Sequence, residues 1–337
     1  MRKKLLIMAG ILTASLLIGC AKQPSEVNGD GSAATEKVTV ILDYVANTNH
    51  TGMYVAQDQG YYEELGLDVE IIEPTEGATA SLIAAGKGDF GISYQEDVTV
   101  ALTSEEPLPI KAIAAVIQHN TSGFATYSEK NITSVKDFEG KTYAGWGGPG
   151  EAAVLEAVMK GAGADFSTLN IVVSDGSGFE ALRDRADIMW FYEAWDNVKA
   201  HLNDFPINYM ELRKLDSRLD YYTPVIITNN NMIAEKPETV KRFLEATSKG
   251  YVYAIQNPEE SAKILNKYAP DYELEMLTAS QIYLSDKYME DASEWGIMKD
   301  EVWNNYTDFM MEYGVIQDSI AANECYTNEF LPNKESK

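Results

Sequence analysis

From Lys37 onward, short β-rich runs alternate with helical stretches, and no other feature of the chain constrains its fold so strongly. Val38-Thr39-Val40-Ile41-Leu42 reads as a strand, Gly52 to Leu65 as a helix stopped by Gly66, and Asp68 to Glu73 as a second strand. Ala78 to Ala85 then reads as a helix and Phe90 to Ser93 as a third strand. A second series keeps the order without repeating the sequence: strand Thr142 to Ala144, helix Glu151 to Gly161, strand Asn170 to Val173, a helix near Phe179 to Arg185, strand Ile188 to Trp190. Strands separated by helices of ~10–15 residues imply right-handed crossovers and mostly parallel sheets. Past Pro224 to Thr228 the pattern turns helical, over Pro237 to Gln256, Pro258 to Tyr268, Tyr272 to Tyr288 and Lys299 to Tyr313. The expectation is an α/β protein of two modules followed by a run of helices.

A leader precedes this body. Arg2, Lys3 and Lys4 stand before the apolar run Leu5 to Ile18, which is followed by Gly19 and Cys20. A basic head and a short apolar run make a secretory signal, too short for a spanning helix. Leu17-Ile18-Gly19-Cys20 resembles a bacterial lipobox, in which the cysteine is acylated and becomes the mature N-terminus; the plainer alternative is a signal peptide with an incidental cysteine. Residues 1–19 are then the lipoprotein signal peptide, and residues 20–36, polar with Pro, Gly and Ser and almost no hydrophobic residues, are a flexible tether. About 17 residues of coil span roughly 20–25 Å. The expected location is the extracytoplasmic side of the cell membrane, held by lipid on Cys20.

Charge and residue counts narrow the function. The chain has 27 Lys and Arg against 52 Asp and Glu, a formal −25 that becomes −28 once residues 1–19 are removed. Nucleic acid is disfavoured, because neutralising phosphates needs clustered basic residues. Three histidines and two cysteines leave little room for a His-rich metal site or a disulfide scaffold. No metal and no cofactor is expected. No G-x-S-x-G or H-E-x-x-H occurs, and nothing assembles a nucleophile, a base and an orienting group.

Open α/β sheets bind ligands beyond the carboxyl ends of their strands. The residues there are polar and aromatic: Asp43, Tyr44, Asn47, Asn49 and His50 after the first strand, Tyr94 and Glu96 after the third. In the second module Trp146 follows the first strand, while Trp190, Tyr192, Glu193 and Trp195 surround the end of the third. Tyr221 and Tyr222 lie near the return. Gly145-Trp146-Gly147-Gly148-Pro149-Gly150 fits G-x-G-x-x-G between a strand and a helix, a dinucleotide-like pattern interrupted by two bulky residues. Its plainer reading is a glycine-rich turn that lets a polar or anionic group approach the next helix N-terminus. His119 reads as a hinge or structural residue, His201 as a surface one, and Trp295 and Trp303 as core.

Several segments together carry a family resemblance: LDYVANTNHTGMYVAQDQGYYEELGLDVEI, AAGKGDFGISYQEDV, IQHNTSGF, DFEGKTYAGWG, YYTPVIITN and YTNEFLP. They resemble bacterial solute-binding lipoproteins of ABC importers for pyrimidine precursors of thiamine, the formylaminopyrimidine and hydroxymethylpyrimidine binders. The likeness runs from about Val38 to Pro332. One departure stands at Asp43-Tyr44-Val45-Ala46, where the family usually has D-W-x-P; Tyr44 keeps a ring, and Ala46 replaces the proline. A eukaryotic branch makes the pyrimidine with a Cys-rich iron motif that this chain lacks.

The resemblance implies a two-lobed type II periplasmic-binding fold, each lobe a mostly parallel sheet flanked by helices. Lobe 1 is expected at 37–123 and 227–332 and lobe 2 at 124–226, with hinges near Ser122-Gly123 and Thr223-Pro224. The implied function is capture of an aminopyrimidine by lobe closure and delivery to an ABC permease and its ATPase, without covalent chemistry. A riboflavin or sulfonate binder is the alternative within the class. An exported pyrimidine-forming or nucleotide-dependent enzyme is the alternative outside it. In the expected pocket a flat ring stacks on Tyr44 and on Trp190 or Tyr192. Glu193 and Asp43 accept its N–H groups, and Asn47, Asn49, His50, Tyr94, Glu96, Trp146 and Tyr222 form the rim.

Overall fold

The computed structural model describes residues 35–74 and 78–332; the signal peptide, Cys20 and the tether up to residue 34 lie outside them. Ten strands occur among the described residues. The first five are β1 (Glu36–Ile41), β2 (Leu67–Ile72), β3 (Phe90–Ser93), β4 (Ile110–Ala115) and β5 (Ser122–Tyr127). The others are β6 (Thr142–Gly145), β7 (Asn170–Val173), β8 (Ile188–Tyr192), β9 (Ile207–Glu211) and β10 (Val225–Asn229).

They form two five-stranded sheets, ordered β2-β1-β3-β10-β4 and β7-β6-β8-β5-β9. In the first, β2, β1 and β3 pair in parallel while β10 runs antiparallel to β3 and β4. The second has the same plan, with β5 as the reversed strand. Each sheet thus has four strands running one way, as expected, and one running against them. The reversed strand of each sheet is the one that enters from the other lobe.

Strand periodicity divides each core into two layers. Alternate residues of a strand face opposite sides, so Val38, Val40 and Leu42 pack with Phe90, Phe243 and Leu265, whereas Ile41 packs with Ile83, Ile227 and Trp303. In the second sheet Phe124 and Trp190 join one layer with Phe138 and Leu155, and their neighbours Ala125 and Phe191 join the other with Leu182. Trp295 and Trp303 are buried, as the sequence predicts. The helix expected over Gly52 to Leu65 is broken: Thr51–Asp58 and Tyr61–Glu64 flank Gly60, whose φ of +75° ends the first segment. The Asp300–Glu312 helix serves both lobes, with Trp303 in the first-lobe core and Tyr306, Phe309 and Met310 in that of the second.

Two segments cross between the sheets, 116–121 and 220–224, and they are strapped together. His119 Nδ1 lies 2.7 Å from Asp220 on the other crossing, and its Nε2 lies 3.0 Å from Asp291. The Asn120 N–H donates to Asp220 at 2.9 Å and the Asn120 side-chain amide donates to the Leu219 carbonyl at 2.8 Å. The hydrogen bond to Asp220, helped by Asp291, outweighs burial and pushes the His119 imidazole up from 6.5 to about 9. A basic group raised on folding contributes fully below its unfolded pKa and is lost as the pH rises through the folded one. The strap should therefore stabilise fully below about pH 6.5 and be lost as the pH passes about 9. His119→Asn should lower stability at pH 6 by about 1–2 kcal/mol, roughly 2–5 °C in a thermal melt, with the difference shrinking at pH 10.

Candidate functional site

The first wall is the turn that follows β1. Asn47 starts the Thr48–His50 turn in extended conformation, its Oδ1 accepting the Asn49 N–H at 2.9 Å. The turn is held from beneath, the Tyr288 hydroxyl donating to the Thr48 carbonyl at 2.6 Å and the Tyr251 hydroxyl to the Asn49 carbonyl at 2.7 Å. His50 is fully buried. Its Nδ1 accepts the Asn47 N–H at 3.2 Å, so Nε2 carries the proton donated to Asp43 Oδ1 at 2.7 Å. The Tyr94 hydroxyl donates to the other Asp43 oxygen at 2.7 Å. Burial raises the Asp43 carboxyl, but the bonds from His50 and Tyr94 win and hold it below its ordinary range. Asp43 is thus a fixed anion with lone pairs to spare.

This group opens on an interlobe cavity of ≈ 220 Å³, lined from the first lobe by Asp43, Tyr44, Asn47, Asn49 and Tyr94. The second lobe and the crossings contribute Thr121, Tyr192, Trp195, Thr223 and Pro224. Tyr44, Tyr94, Tyr192 and Thr223 also wall an outer basin of ≈ 500 Å³ that adds Glu96, Asp97, Trp146 and Tyr221. Among the described residues neither lining contains Lys, Arg or His. Tyr44 and Trp146 remain 62% and 56% exposed on opposite lobes, two large rings facing one basin.

Of the expected residues, Asp43, Tyr44, Asn47, Asn49, Tyr94, Glu96, Trp146 and Tyr192 line this cleft. Four others do not. His50 sits behind Asp43 as its support. Trp190 lies beneath Trp146, ring centroids 5.1 Å apart, and packs edge-on against Phe124 in the second core. Glu193 follows the end of β8 in a π-helical turn, Glu193–Asn197, and accepts the Tyr283 hydroxyl at 2.8 Å, away from both linings. Tyr222 is buried, its hydroxyl accepting the Lys299 N–H at 3.0 Å; its neighbour Tyr221 faces the basin instead, stacked on Tyr306. Thr121, Thr223 and Pro224 are lining residues the sequence reading missed. Aromatic rank points to a rim; threonines on crossing segments carry no such signal.

This geometry joins two α/β lobes around a ring-lined acidic cleft. A sequence profile of the NMT1/THI5-like family matches residues 47–261. The chain belongs to the NMT1/THI5-like family. It is 26% identical over 340 residues to the formylaminopyrimidine-binding protein of Halalkalibacterium halodurans, covering 97% of this chain and 99% of that protein. It is 23% identical over 312 residues to a 4-amino-5-hydroxymethyl-2-methylpyrimidine phosphate synthase of Legionella pneumophila, covering 90% and 94%. Its backbone superposes on the periplasmic aliphatic sulphonate binding protein of Escherichia coli with a TM-score of 0.67 at 12% identity, covering 90% of this chain and 96% of that one. The fold is the two-lobed periplasmic-binding fold that the sequence motifs implied.

Two features of this family member now have physical explanations. Ala46, where the resemblance leads one to expect proline, donates its backbone N–H to Glu73 at 2.9 Å, a bond proline lacks the proton to make. The glycine-rich turn after β6 wraps the chain's own Glu151, which is buried and accepts the Gly147 N–H at 2.7 Å, the Trp146 N–H at 3.2 Å and the Tyr143 hydroxyl. A Cβ on Gly145 would stand 1.8 Å from that carboxylate. The Trp146 and Gly147 N–H groups of this turn are thus taken by Glu151.

Proposed function

We propose that this chain is an extracytoplasmic solute-binding lipoprotein of an ABC importer, capturing a pyrimidine precursor of thiamine between its lobes and delivering it to a permease and its ATPase. The observation that carries the reading is Asp43, an anion fixed by His50 and Tyr94 on the wall of a ring-lined cavity without a basic lining residue. A carboxylate that accepts from an exocyclic amine and shares a proton with the adjacent ring nitrogen makes a charge-assisted pair, and the flat faces of Tyr44, Tyr192 and Trp195 suit a planar ring. Sites for drug-sized ligands occupy ~300–1,000 Å³. The inner cavity, at ≈ 220 Å³, is of a size for a single ring. A sulfonate would meet Asp43 without a cation to offset it.

A second reading, pyrimidine synthesis, has the name of the Legionella relative in its favour. A phosphorylated product calls for cations or free N–H groups. The cleft lining supplies no cation, and the glycine turn's Trp146 and Gly147 N–H groups hold Glu151. Mass spectrometry of small molecules retained by the purified protein separates the two. The transport reading expects an unphosphorylated pyrimidine; a retained pyrimidine phosphate, or retained nucleotide, overturns it.

Anchoring is tested separately. No described helix is long and apolar enough to cross a membrane. Cys20→Ser should move the protein from the membrane pellet to the soluble fraction of cells lacking the transporter, because it removes the acyl chains, of which stable attachment needs at least two, and a polar tether and acidic body offer no other attachment. Continued sedimentation with membranes would rule out lipid on Cys20 as the anchor.

A further inference from the structure

Beyond Tyr94 and Tyr192 the inner cavity opens into the outer basin, whose polar wall is Glu96 and Asp97 and whose apolar walls include Trp146 and Tyr221. Neither carboxylate belongs to an ion pair among the described residues, whereas Glu36, Asp187, Asp216 and Asp220 do. Glu96 Oε2 accepts the Tyr306 hydroxyl at 2.8 Å, while its Oε1 rests against the second lobe, 2.2 Å from where a Cβ on Gly150 would stand. Burial raises the Glu96 carboxyl, and the nearby charges of Asp97 and Glu151 raise it further. Two carboxylates, both in the first turn of the Gln95–Thr103 helix, are thus gathered in a lining without Lys, Arg or His. A positive group entering this space would be held by the carboxylates and by the ring faces together. An anion would be repelled, and a neutral group would leave the repulsion in place.

We infer that the outer basin selects a positively charged substituent on the bound pyrimidine, so that the favoured ligand is an aminopyrimidine carrying an ammonium group or a cationic second ring. The inference rests on the pyrimidine reading above and adds the charge of the ligand's second half. The ring lies against Asp43 in the inner cavity; the cation lies between Glu96, Asp97 and Trp146.

The test is titration calorimetry at neutral pH and low salt with three probes sharing one aminopyrimidine ring: the neutral hydroxymethyl compound, the aminomethyl compound, and thiamine. At least one of the two cations should bind about tenfold or more tightly than the neutral compound. That ratio should fall toward one in Asp97→Asn and in Glu96→Gln, and in high salt, with thermal melts of both variants checking that they fold. An advantage for the aminomethyl compound alone assigns the basin to an ammonium group, and one for thiamine alone to a second ring. Cations binding no better than the neutral compound, or a ratio unchanged in both variants, would overturn the inference while leaving the pyrimidine reading intact. If none of the three binds, the pyrimidine reading falls and takes this inference with it.

Discussion

Asp43→Asn should weaken pyrimidine binding by roughly 10- to 150-fold, the largest loss expected from any single lining substitution. A hydrogen bond to a charged group contributes ~1.5–3 kcal/mol, and each ~1.4 kcal/mol is tenfold in affinity. The substitution removes the anion and also disturbs its support, since the His50 Nε2–H and the Tyr94 hydroxyl both donate to carboxylate oxygens. Because these bonds hold the carboxyl below its ordinary 3.8, the contribution should persist as the pH falls to about 4 and be lost only below that. Glu193→Gln is the matched comparison. Its carboxylate faces Tyr283, so the affinity change should stay within about fivefold, as expected for one neutralised hydrogen bond outside the lining. Calorimetric titration of the two variants checks both figures. Equal losses would place Glu193 in the ligand's path after all.

Gly250→Ala should be the most damaging substitution for stability. Gly250 lies on the Pro237–Gln256 helix where it crosses Thr51–Asp58, and a Cβ there would stand 1.9 Å from the Gly52 carbonyl oxygen and 3.0 Å from the Ala56 Cβ. Gly52 is under the same constraint, its Cβ falling 2.2 Å from the Tyr251 ring. Backbone cannot swing aside as a side chain does, so the helices must separate. Overpacking typically costs ~1–3 kcal/mol, and a clash with backbone belongs at or above the top of that range. The damage should reach the site, because Tyr251 holds the Asn49 carbonyl of the ligand-facing turn. Urea denaturation should show a midpoint lowered by about 1 M or more. Gly161→Ala is the control: nothing lies within 4 Å of its Cβ position and its backbone is helical, so it should be neutral or slightly stabilising.

These results show where one sequence suffices and where it does not. The helices Pro237–Gln256 and Pro258–Tyr268 coincide with their sequence reading because proline at the first turn and a strong apolar stripe mark both ends and face. Strands β4, β5 and β9 were not anticipated. They stand outside the strand–helix–strand rhythm, and β5 is a reversed strand that enters from the other lobe, so no regular crossover helix announces it. The first-lobe half of the cleft was legible because Asp43, Tyr44 and Asn47 follow a clear strand end. The second-lobe half was less so, for a reason of parity. Adjacent residues turn to opposite sides, and a π-helical turn after Tyr192 breaks the period, which sends Glu193 to Tyr283 and leaves Trp195 in the lining. The same one-residue shift separates lining Tyr221 from buried Tyr222.

The central claim is that the cleft was built for an uncharged or cationic pyrimidine and against an anionic one. Titrating the purified chain with hydroxymethylpyrimidine and with its phosphate monoester tests this most directly, since the two differ only in the added anion. The account predicts saturable one-to-one binding of the alcohol and a loss of about a hundredfold or more for the phosphate, which would meet Asp43, Glu96 and Asp97 without a lining cation. Equal or tighter binding of the phosphate would contradict it.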